Sequence, residues 1–378
     1  MVTSKEMNTE RLVQEFCKLV EIDSPSFGER LMADQLKDYL LELGFTVFED
    51  CAGVRYKGNC GNVYGFLKGD MEGDPLLFSA HMDTVEPSKN KKAIVHSNGR
   101  ITSDGNSVLG ADDLSGVVAI LEAIRTIKEE GLSHRSIEVL FTIGEEAYLR
   151  GSEVFDYSMI QSQKAYVLDL SGVVGEAALS APTLISFTAQ VKGKASHAGF
   201  APENGIHAIA IAAEAIGKIT QGRIDNKTVV NIGKIEGGLA TNIVPEICTL
   251  HGEVRSFDHN RALEEVDQIN EIFQKVTAQY NASCNFTSSF GCIAYSIDRM
   301  HPVVKNYEAV CNRLGIRTKY VKTFGGSDNN NFVRNGITGI VIACGMNKVH
   351  STEEFTVVSE LVRCCNIVFE LMTNEDVK

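Results

Sequence analysis

Short apolar runs that alternate with helical patterns place the strongest constraint on the fold of this chain. Three of them predict buried strands: PLLFSA at residues 75–80, SIEVLFTI at 136–143 and KAYVLDL at 164–170. Apolar residues recur at helical spacing over 28–43 and 115–128. The first run is apolar on both faces, which is typical of an inner strand in a sheet covered by helices. The pattern therefore predicts an α/β fold with a helix-covered mixed sheet.

A self-contained segment interrupts this alternation. From residue 182 to 295 the predicted elements, including a helix over 203–219, follow the order β-α-β-β-α-β of the split ferredoxin-like arrangement. After it, the run TGIVIACG and a closing helix over 359–372 return to the first pattern. The sequence thus predicts a larger domain of residues 1–181 and 296–378, and an inserted ferredoxin-like βαββαβ domain at 182–295.

Composition excludes several classes of partner. The net charge is −13, whereas a protein that binds nucleic-acid phosphates presents a basic surface. No apolar run approaches the roughly 18 residues of a membrane-spanning helix, and the N-terminal segment lacks the apolar stretch of a signal peptide. The ten cysteines include no C-x-x-C pair. We therefore expect reduced cysteines, a cytoplasmic location, and neither nucleic acid nor membrane as a partner.

Acidic and imidazole side chains lie where these strands end or the next helix begins. They are His81 and Asp83 in SAHMDT, Asp112 and Asp113 in LGADDLSG, Glu145 and Glu146 in TIGEEA, Asp169 in VLDLSG, and His350 in KVHSTEE. In open α/β sheets the ligand site lies outside the carboxyl ends of the strands. Each motif alone is ordinary, but their joint occurrence, in this order and at strand ends, predicts one shared crevice.

The mixture of carboxylates and imidazoles indicates the kind of ligand. It suits Zn²⁺, with Co²⁺ or Mn²⁺ as alternatives, better than Ca²⁺. A two-metal site about 3.5–4 Å across needs one carboxylate shared by both ions. Each ion also needs one imidazole and one further carboxylate. Five residues meet this requirement and predict two zinc ions per subunit: His81, Asp112, Glu146, Asp169 and His350.

Two remaining carboxylates have expected catalytic roles. Asp83 lies two residues after His81, and we expect its carboxylate to accept the second imidazole N–H and orient the ring. Glu145 precedes Glu146 and is expected to act as the general base toward a water that the metal has acidified.

Together these motifs resemble the two-zinc exopeptidases, a family that includes peptidase T, carboxypeptidase G and the acetylornithine and succinyl-diaminopimelate deacylases. The resemblance covers nearly the whole chain. It implies that His81 and Asp169 bind one zinc, that Glu146 and His350 bind the other, and that Asp112 bridges them.

The resemblance also implies a homodimer formed through the inserted domain, which acts as a lid. His197, in the motif SHAG, matches a histidine that polarises the scissile carbonyl, in its own site or in that of the partner subunit. Three further positions fit substrate contacts. They are Asn242 after a glycine-rich turn, Arg255 as a clamp for a peptide carboxylate, and Gly326 in the loop FGGSDNN.

Within the family, the residues in and around the motifs are most similar to those of peptidase T-like enzymes. Asp169 stands where aminopeptidases carry Asp, and the inserted domain falls between Asp169 and His350. The implied function is release of the N-terminal residue from tripeptides or similar short peptides, by a hydroxide held between the zinc ions. Asp113 stands where the best-known tripeptidases have Asn, which weakens the case for strict tripeptide specificity. An N-acyl amino-acid deacylase, a dipeptidase and a non-catalytic binding protein on the same scaffold remain alternatives.

Overall fold

A computed structural model describes residues 7–375. The chain divides into two compact units. The larger unit is formed by the described parts of Met1–Ser180, Ser296–Thr323 and Ser327–Lys378. The inserted unit comprises Ala181–Tyr295 and Phe324–Gly326. The short segment Phe324–Gly326 therefore groups with the inserted unit, whereas the sequence pattern placed it in the larger domain.

The elements are numbered along the whole chain. The helices are α1 Thr9–Val20, α2 Arg30–Glu42, α3 Ala52–Tyr56, α4 Ala111–Glu130, α5 Arg150–Glu153, α6 Ala208–Gly217, α7 His259–Gln279, α8 Pro302–Arg313, α9 Asn329–Arg334 and α10 Val358–Thr373. The strands up to the inserted unit are β1 Thr46–Glu49, β2 Val63–Leu67, β3 Leu76–His81, β4 Ile94–Val95, β5 Arg100–Thr102, β6 Ile137–Thr142, β7 Lys164–Leu170 and β8 Glu176–Ala181. The later strands are β9 Thr183–Lys192, β10 Gly222–Arg223, β11 Thr228–Gly237, β12 Ile247–Ser256, β13 Ser283–Cys292, β14 Tyr295–Ser296, β15 Lys319–Lys322, β16 Thr338–Ala343 and β17 Phe355–Val357.

The larger unit is built on a mixed sheet with the order β1-β2-β6-β3-β7-β16-β8-β14, and β15 pairs with β8. At its centre β3 is parallel to both β6 and β7, and β16 is parallel to β7. Every residue of β3 and β6 is buried, as expected for inner strands with helices on both sides. The carboxyl ends of these strands share one edge, where His81 lies opposite Thr142 in the register.

Helix α4 is the central helix of the larger unit, and it packs against β3, β7, α1 and α10. Its apolar residues are buried almost all round, because the sequence LSGVVAILEAI leaves no polar face over its first turns. Gly116 has a packing role: a Cβ there would lie 2.5 Å from Asp113 Oδ1 and 2.7 Å from the Leu168 carbonyl oxygen. The helix begins at Ala111, earlier than predicted, although Asp112 and Asp113 keep non-helical backbone angles.

The inserted unit has an antiparallel sheet with the order β10-β11-β12-β9-β13. Helices α6 and α7 pack on this sheet around a separate apolar core that includes Phe187, Leu250 and Phe273. The strand order confirms the predicted ferredoxin-like arrangement. One helix boundary was wrong: α6 begins at Ala208, because Pro202–Asn204 forms a 3₁₀ turn and Gly205 is extended.

Within residues 7–375, no helix combines the length and the apolar character needed to cross a membrane.

Candidate metal centre and active site

The predicted imidazole and carboxylate residues of the larger unit come together at the carboxyl edge of the central strands. The carboxylate of Asp112 lies between two histidines: its Oδ1 is 3.0 Å from His81 Nε2, and its Oδ2 is 3.3 Å from His350 Nε2. His350 Nε2 is also 2.9 Å from Glu146 Oε1, and His81 Nε2 is 3.9 Å from Asp169 Oδ1. One carboxylate therefore faces both imidazoles, each of which has a further carboxylate beside it.

Two sets of donor atoms result, and they share Asp112. In each set the donor atoms lie within 4.8 Å of one another: His81, Asp112 and Asp169 in one, and Asp112, Glu146 and His350 in the other. A third overlapping group combines His81 with Glu145 and Glu146. Nitrogen and oxygen donors at this spacing fit a divalent ion such as zinc, and the shared carboxylate fits two adjacent ions.

The electrostatics of this cluster favour a bound cation. Burial, reinforced by neighbouring carboxylates, raises the pKa of Asp169 and of Glu145 well above the usual carboxyl range. Burial also acts to raise the pKa of Asp112, but hydrogen bonds with His350 and His81 outweigh it and lower that pKa. The same pairing with Asp112 and Glu146 raises the pKa of His350 to about 10. Buried carboxylates in excess over cations are costly unless positive charge compensates them, and divalent ions would do so.

Glu145 lies on the tight loop that follows β6. The loop is closed by hydrogen bonds from the Leu149 N–H to the Glu145 carbonyl (2.7 Å) and from the Arg150 N–H to the Gly144 carbonyl (3.0 Å). The Glu145 side chain is buried, and its carboxylate accepts no hydrogen bond within residues 7–375. A buried carboxylate that is free to accept a proton beside the donor sets is what a general base requires.

The carboxylate of Asp83 binds the backbone of this loop. It was expected to contact the His81 ring, but the structure shows a different contact. His81 Nδ1 lies 2.9 Å from the backbone carbonyl of Asp83, whereas the nearest carboxylate oxygen is 3.6 Å away. The carboxylate accepts the backbone N–H groups of Glu145 (2.9 Å) and Glu146 (3.2 Å), and the Ser26 hydroxyl (2.6 Å). Strand β3 ends at His81, and beyond it the backbone carbonyl of residue 83 faces the ring while the carboxylate faces the loop.

Asp113 also has a backbone role. Its carboxylate accepts the N–H of His81 (3.2 Å) and the N–H of Gly116 (3.2 Å), so it ties the end of β3 to the start of α4. Burial raises its pKa well above the usual range.

Three buried carboxylates of the surrounding structure were not predicted. Glu29 accepts the N–H of Gly144 (2.9 Å), immediately before Glu145. Asp328 accepts the hydroxyl groups of Thr142 and Ser152, on either side of the same loop. Glu354 accepts backbone N–H groups at the start of α4. Asp328 and Glu354 lay in segments that the sequence singled out, but FGGSDNN was expected to contact substrate and KVHSTEE was singled out for His350.

In the inserted unit, His197 and Asn242 lie in neighbouring loops. The Ala198 N–H donates to the Asn242 carbonyl (2.9 Å). His197 Nδ1 accepts the backbone N–H groups of Gly199 (3.1 Å) and Phe200 (3.2 Å), and its ring stacks on Phe200 with centroids 4.3 Å apart. Because Nδ1 is an acceptor, the neutral ring carries its proton on Nε2 and presents it as a donor.

The predicted clamp, Arg255, is paired within its own unit. Its guanidinium donates to both carboxylate oxygens of Glu253 (2.7 and 3.1 Å) and to the carbonyl of Phe324 (2.7 Å). Glu253 and Arg255 are two positions apart on β12, so their side chains lie on the same face of the strand, close enough to form the ion pair. The guanidinium therefore has partners within the unit, and its contact with a peptide carboxylate stays a prediction. The Phe324 contact does fix the segment that contains Gly326.

Sequence profiles of known families define the class of protein. The peptidase dimerisation domain matches residues 179–281, and peptidase family M28 matches residues 62–218. A peptidase profile therefore covers most of the segments that supply the donor sets, and a dimerisation profile covers most of the inserted unit. This fold and site define a peptidase, a hydrolase of peptide bonds.

Similarity to individual relatives shows which family of peptidases the chain belongs to. The chain is similar to a tripeptidase from Staphylococcus aureus, with 33% identity, a TM-score of 0.94, and coverage of 98% of this chain and 99% of the other. It is similar to aminopeptidase PepT from Bacillus cereus, with 34% identity, a TM-score of 0.90 and the same coverage. It is also 35% identical to the uncharacterised protein YqjE of Bacillus subtilis, over 97% of this chain and 98% of the relative. The chain belongs to the peptidase T-like family.

Proposed function

We propose that this protein is a metal-dependent aminopeptidase that releases the N-terminal residue of tripeptides and similar short peptides. The observation that carries the proposal is the Asp112 carboxylate between His81 and His350, with the buried carboxylate of Glu145 beside them. Relatives at 33% and 34% identity are described as a tripeptidase and an aminopeptidase, which supports both the peptide substrate and its short length.

The donor sets fit two divalent ions, for which Zn²⁺ is the first choice and Co²⁺ or Mn²⁺ are alternatives. His81, Asp112 and Asp169 would hold one ion, and Asp112, Glu146 and His350 the other. When bound, two such ions supply Lewis-acid polarisation of the scissile carbonyl and activation of water.

The side chains are proposed to perform proton transfer, to position the base and to stabilise the carbonyl oxygen. Glu145 accepts the proton of the attacking water and delivers it to the leaving amine, which its unpaired carboxylate supports. Asp83 holds the two backbone N–H groups at Glu145 and Glu146, and so fixes the position of the base. His197 donates its Nε2–H to the carbonyl oxygen, in its own site or in that of the partner subunit. Asn242, Arg255 and Gly326 are proposed as substrate contacts.

We also infer a homodimer formed through the inserted unit and a cytoplasmic location. The match of residues 179–281 to the peptidase dimerisation domain supports the first. The second is supported by the cysteines, all ten of which are free, because a reducing compartment keeps thiols unpaired.

The test is hydrolysis of Met-Gly-Gly by the purified protein, before and after chelation and after re-addition of Zn²⁺ or Co²⁺. We expect metal-dependent release of free methionine. N-acetyl and N-succinyl amino acids and dipeptides are assayed in parallel. Activity on the acylated amino acids alone would replace the proposal by a deacylase, and activity on dipeptides alone by a dipeptidase. Inactivity of the metal-loaded protein on every substrate would refute a catalytic function.

A further inference from the structure

Glu354 lies four residues after His350 and is buried, with 1% of its surface exposed. Its two carboxylate oxygens accept two different backbone N–H groups: Oε2 accepts that of Gly110 (2.7 Å), and Oε1 accepts that of Asp112 (2.9 Å). The residue beside it, Glu353, is exposed and pairs with Lys348. Two adjacent glutamates therefore have opposite environments.

The two N–H groups belong to the irregular start of α4. Gly110 has a φ of +78°, and Asp112 has the non-helical angles −87° and 98°. The N–H groups of a first helical turn have no partner within the helix, so an acceptor must come from elsewhere. Glu354 provides both acceptors from a segment 242 residues away in the sequence. It thereby fixes the backbone from which the Asp112 carboxylate reaches both histidines.

The same segment also supplies His350. The hydrogen bonds of Glu354 thus connect two of the donors directly: the backbone of Asp112 and the loop that begins at His350. This geometry sets the separation of His350 Nε2 from Asp112 Oδ2, which is 3.3 Å.

A buried lysine packs near Gly110. Lys91 is 2% exposed, and its Nζ lies 3.2 Å from the Thr84 hydroxyl. A Cβ at Gly110 would lie 3.6 Å from Lys91 Cε. Burial lowers the pKa of Lys91 to about 8, against the opposing effect of Asp23, Glu354 and Glu86. Lys91 and Glu354 thus both lie beside Gly110, one through its side-chain packing and the other through a hydrogen bond.

We propose that Glu354 is a positioning residue for the bridging ligand Asp112, and that it sets the affinity of the site for its second metal ion. This inference rests on the proposed two-metal function and deepens it. Glu354 touches no reacting atom. It acts through the backbone of Asp112, as outer hydrogen bonds to metal ligands generally do.

The test uses the full-length protein and Co²⁺ as the probe. Co²⁺ binding is titrated by visible absorption in competition with a chelator, for the wild type, Glu354→Gln and the matched control Glu353→Gln. In Glu354→Gln one acceptor oxygen becomes an NH₂ group that faces a backbone N–H, while the size of the side chain is kept. We expect the second Co²⁺ to bind about 10–100-fold more weakly in Glu354→Gln. The control should bind like the wild type.

Several outcomes separate the possibilities. If Glu354→Gln binds two Co²⁺ ions within twofold of the wild type, the inference is wrong and the proposed function stands. If the wild type itself binds no Co²⁺, the proposed function fails and this inference with it. Far-UV circular dichroism of the metal-free proteins reports folding. Should Glu354→Gln not fold, Glu354→Asp decides, because the shorter carboxylate keeps its charge but cannot reach both N–H groups: weaker binding of the second Co²⁺ supports the inference, and unchanged binding overturns it.

Discussion

The carboxylate of Asp83 gives the sharpest test of how the loop with Glu145 and Glu146 is held. It is fully buried and accepts three hydrogen bonds, from the N–H groups of both glutamates and from the Ser26 hydroxyl. Asp83→Asn keeps the shape but exchanges one acceptor oxygen for an NH₂ group. With the amide oxygen kept toward Glu145, that NH₂ group faces the Glu146 N–H, while the Ser26 hydroxyl can turn and accept.

The magnitude follows from these contacts. One hydrogen bond to a charged acceptor is lost, which costs about 1.5–3 kcal/mol, and the other two become neutral ones. We therefore expect Asp83→Asn to lower the free energy of unfolding by about 2–3 kcal/mol. Ser26→Ala, which removes one donor and leaves the carboxylate two partners, should lower it by only about 1 kcal/mol.

The assay is urea unfolding of both variants and the wild type, with a chelator present so that metal binding does not contribute. A loss for Asp83→Asn no larger than that for Ser26→Ala would refute the reasoning. The comparison also separates the observed contact from the one expected from sequence. If the carboxylate acted on the His81 ring, Co²⁺ affinity would change while the metal-free protein kept its stability.

Three further predictions concern other parts of the larger unit. Glu145→Gln should lower turnover of Met-Gly-Gly by about 10²–10⁴-fold and leave the metal content unchanged; wild-type turnover would contradict a base at this position. Burial acts to raise the pKa of Glu49, but an arginine and a lysine outweigh it and lower that pKa from 4.5 to about 2. The stability that ionised Glu49 contributes is present above pH 4.5 and is lost as the pH falls through about 2. Glu49→Gln should therefore have a lower urea midpoint than the wild type at pH 7 and approach the wild type in acid. A difference in midpoint that stays constant with pH would contradict this. Gly116→Ala should lower thermal stability by about 1–3 kcal/mol, because its Cβ would meet Asp113 Oδ1 at 2.5 Å and the Leu168 carbonyl at 2.7 Å. An unchanged melting temperature would show that α4 and β7 can separate at no cost.

The sequence was sufficient to predict which side chains of the larger unit meet. The buried strands are apolar enough to be recognised, and parallel strands bring their carboxyl ends to one edge. Residues 81 and 169 were therefore expected to lie close together, with residue 112 just before a helix, and that helix packs on the same strands. The order of strands in the inserted unit likewise followed from the alternation of its elements.

The contacts that hold these side chains were not predictable, because they depend on backbone direction within loops. Nothing in the pair Glu353–Glu354 indicates which member is buried. The distance of two residues from His81 to Asp83 suggested a contact between side chains, but the backbone carbonyl reaches the ring first. Arg255 shares a strand face with Glu253, but the spacing alone does not show that the two side chains pair.

The donor residues of the proposed metal centre are spread along the sequence from residue 81 to residue 350. The inserted unit falls between the fourth donor and the last. During synthesis on the ribosome, a chain that has emerged only as far as β16 holds one imidazole of the centre but neither His350 nor the Glu354 that fixes Asp112. Helix α10, which packs on α4, is also still to come. The proposed metal centre therefore requires synthesis to proceed past residue 354, and nascent chains truncated before it should be inert toward peptides.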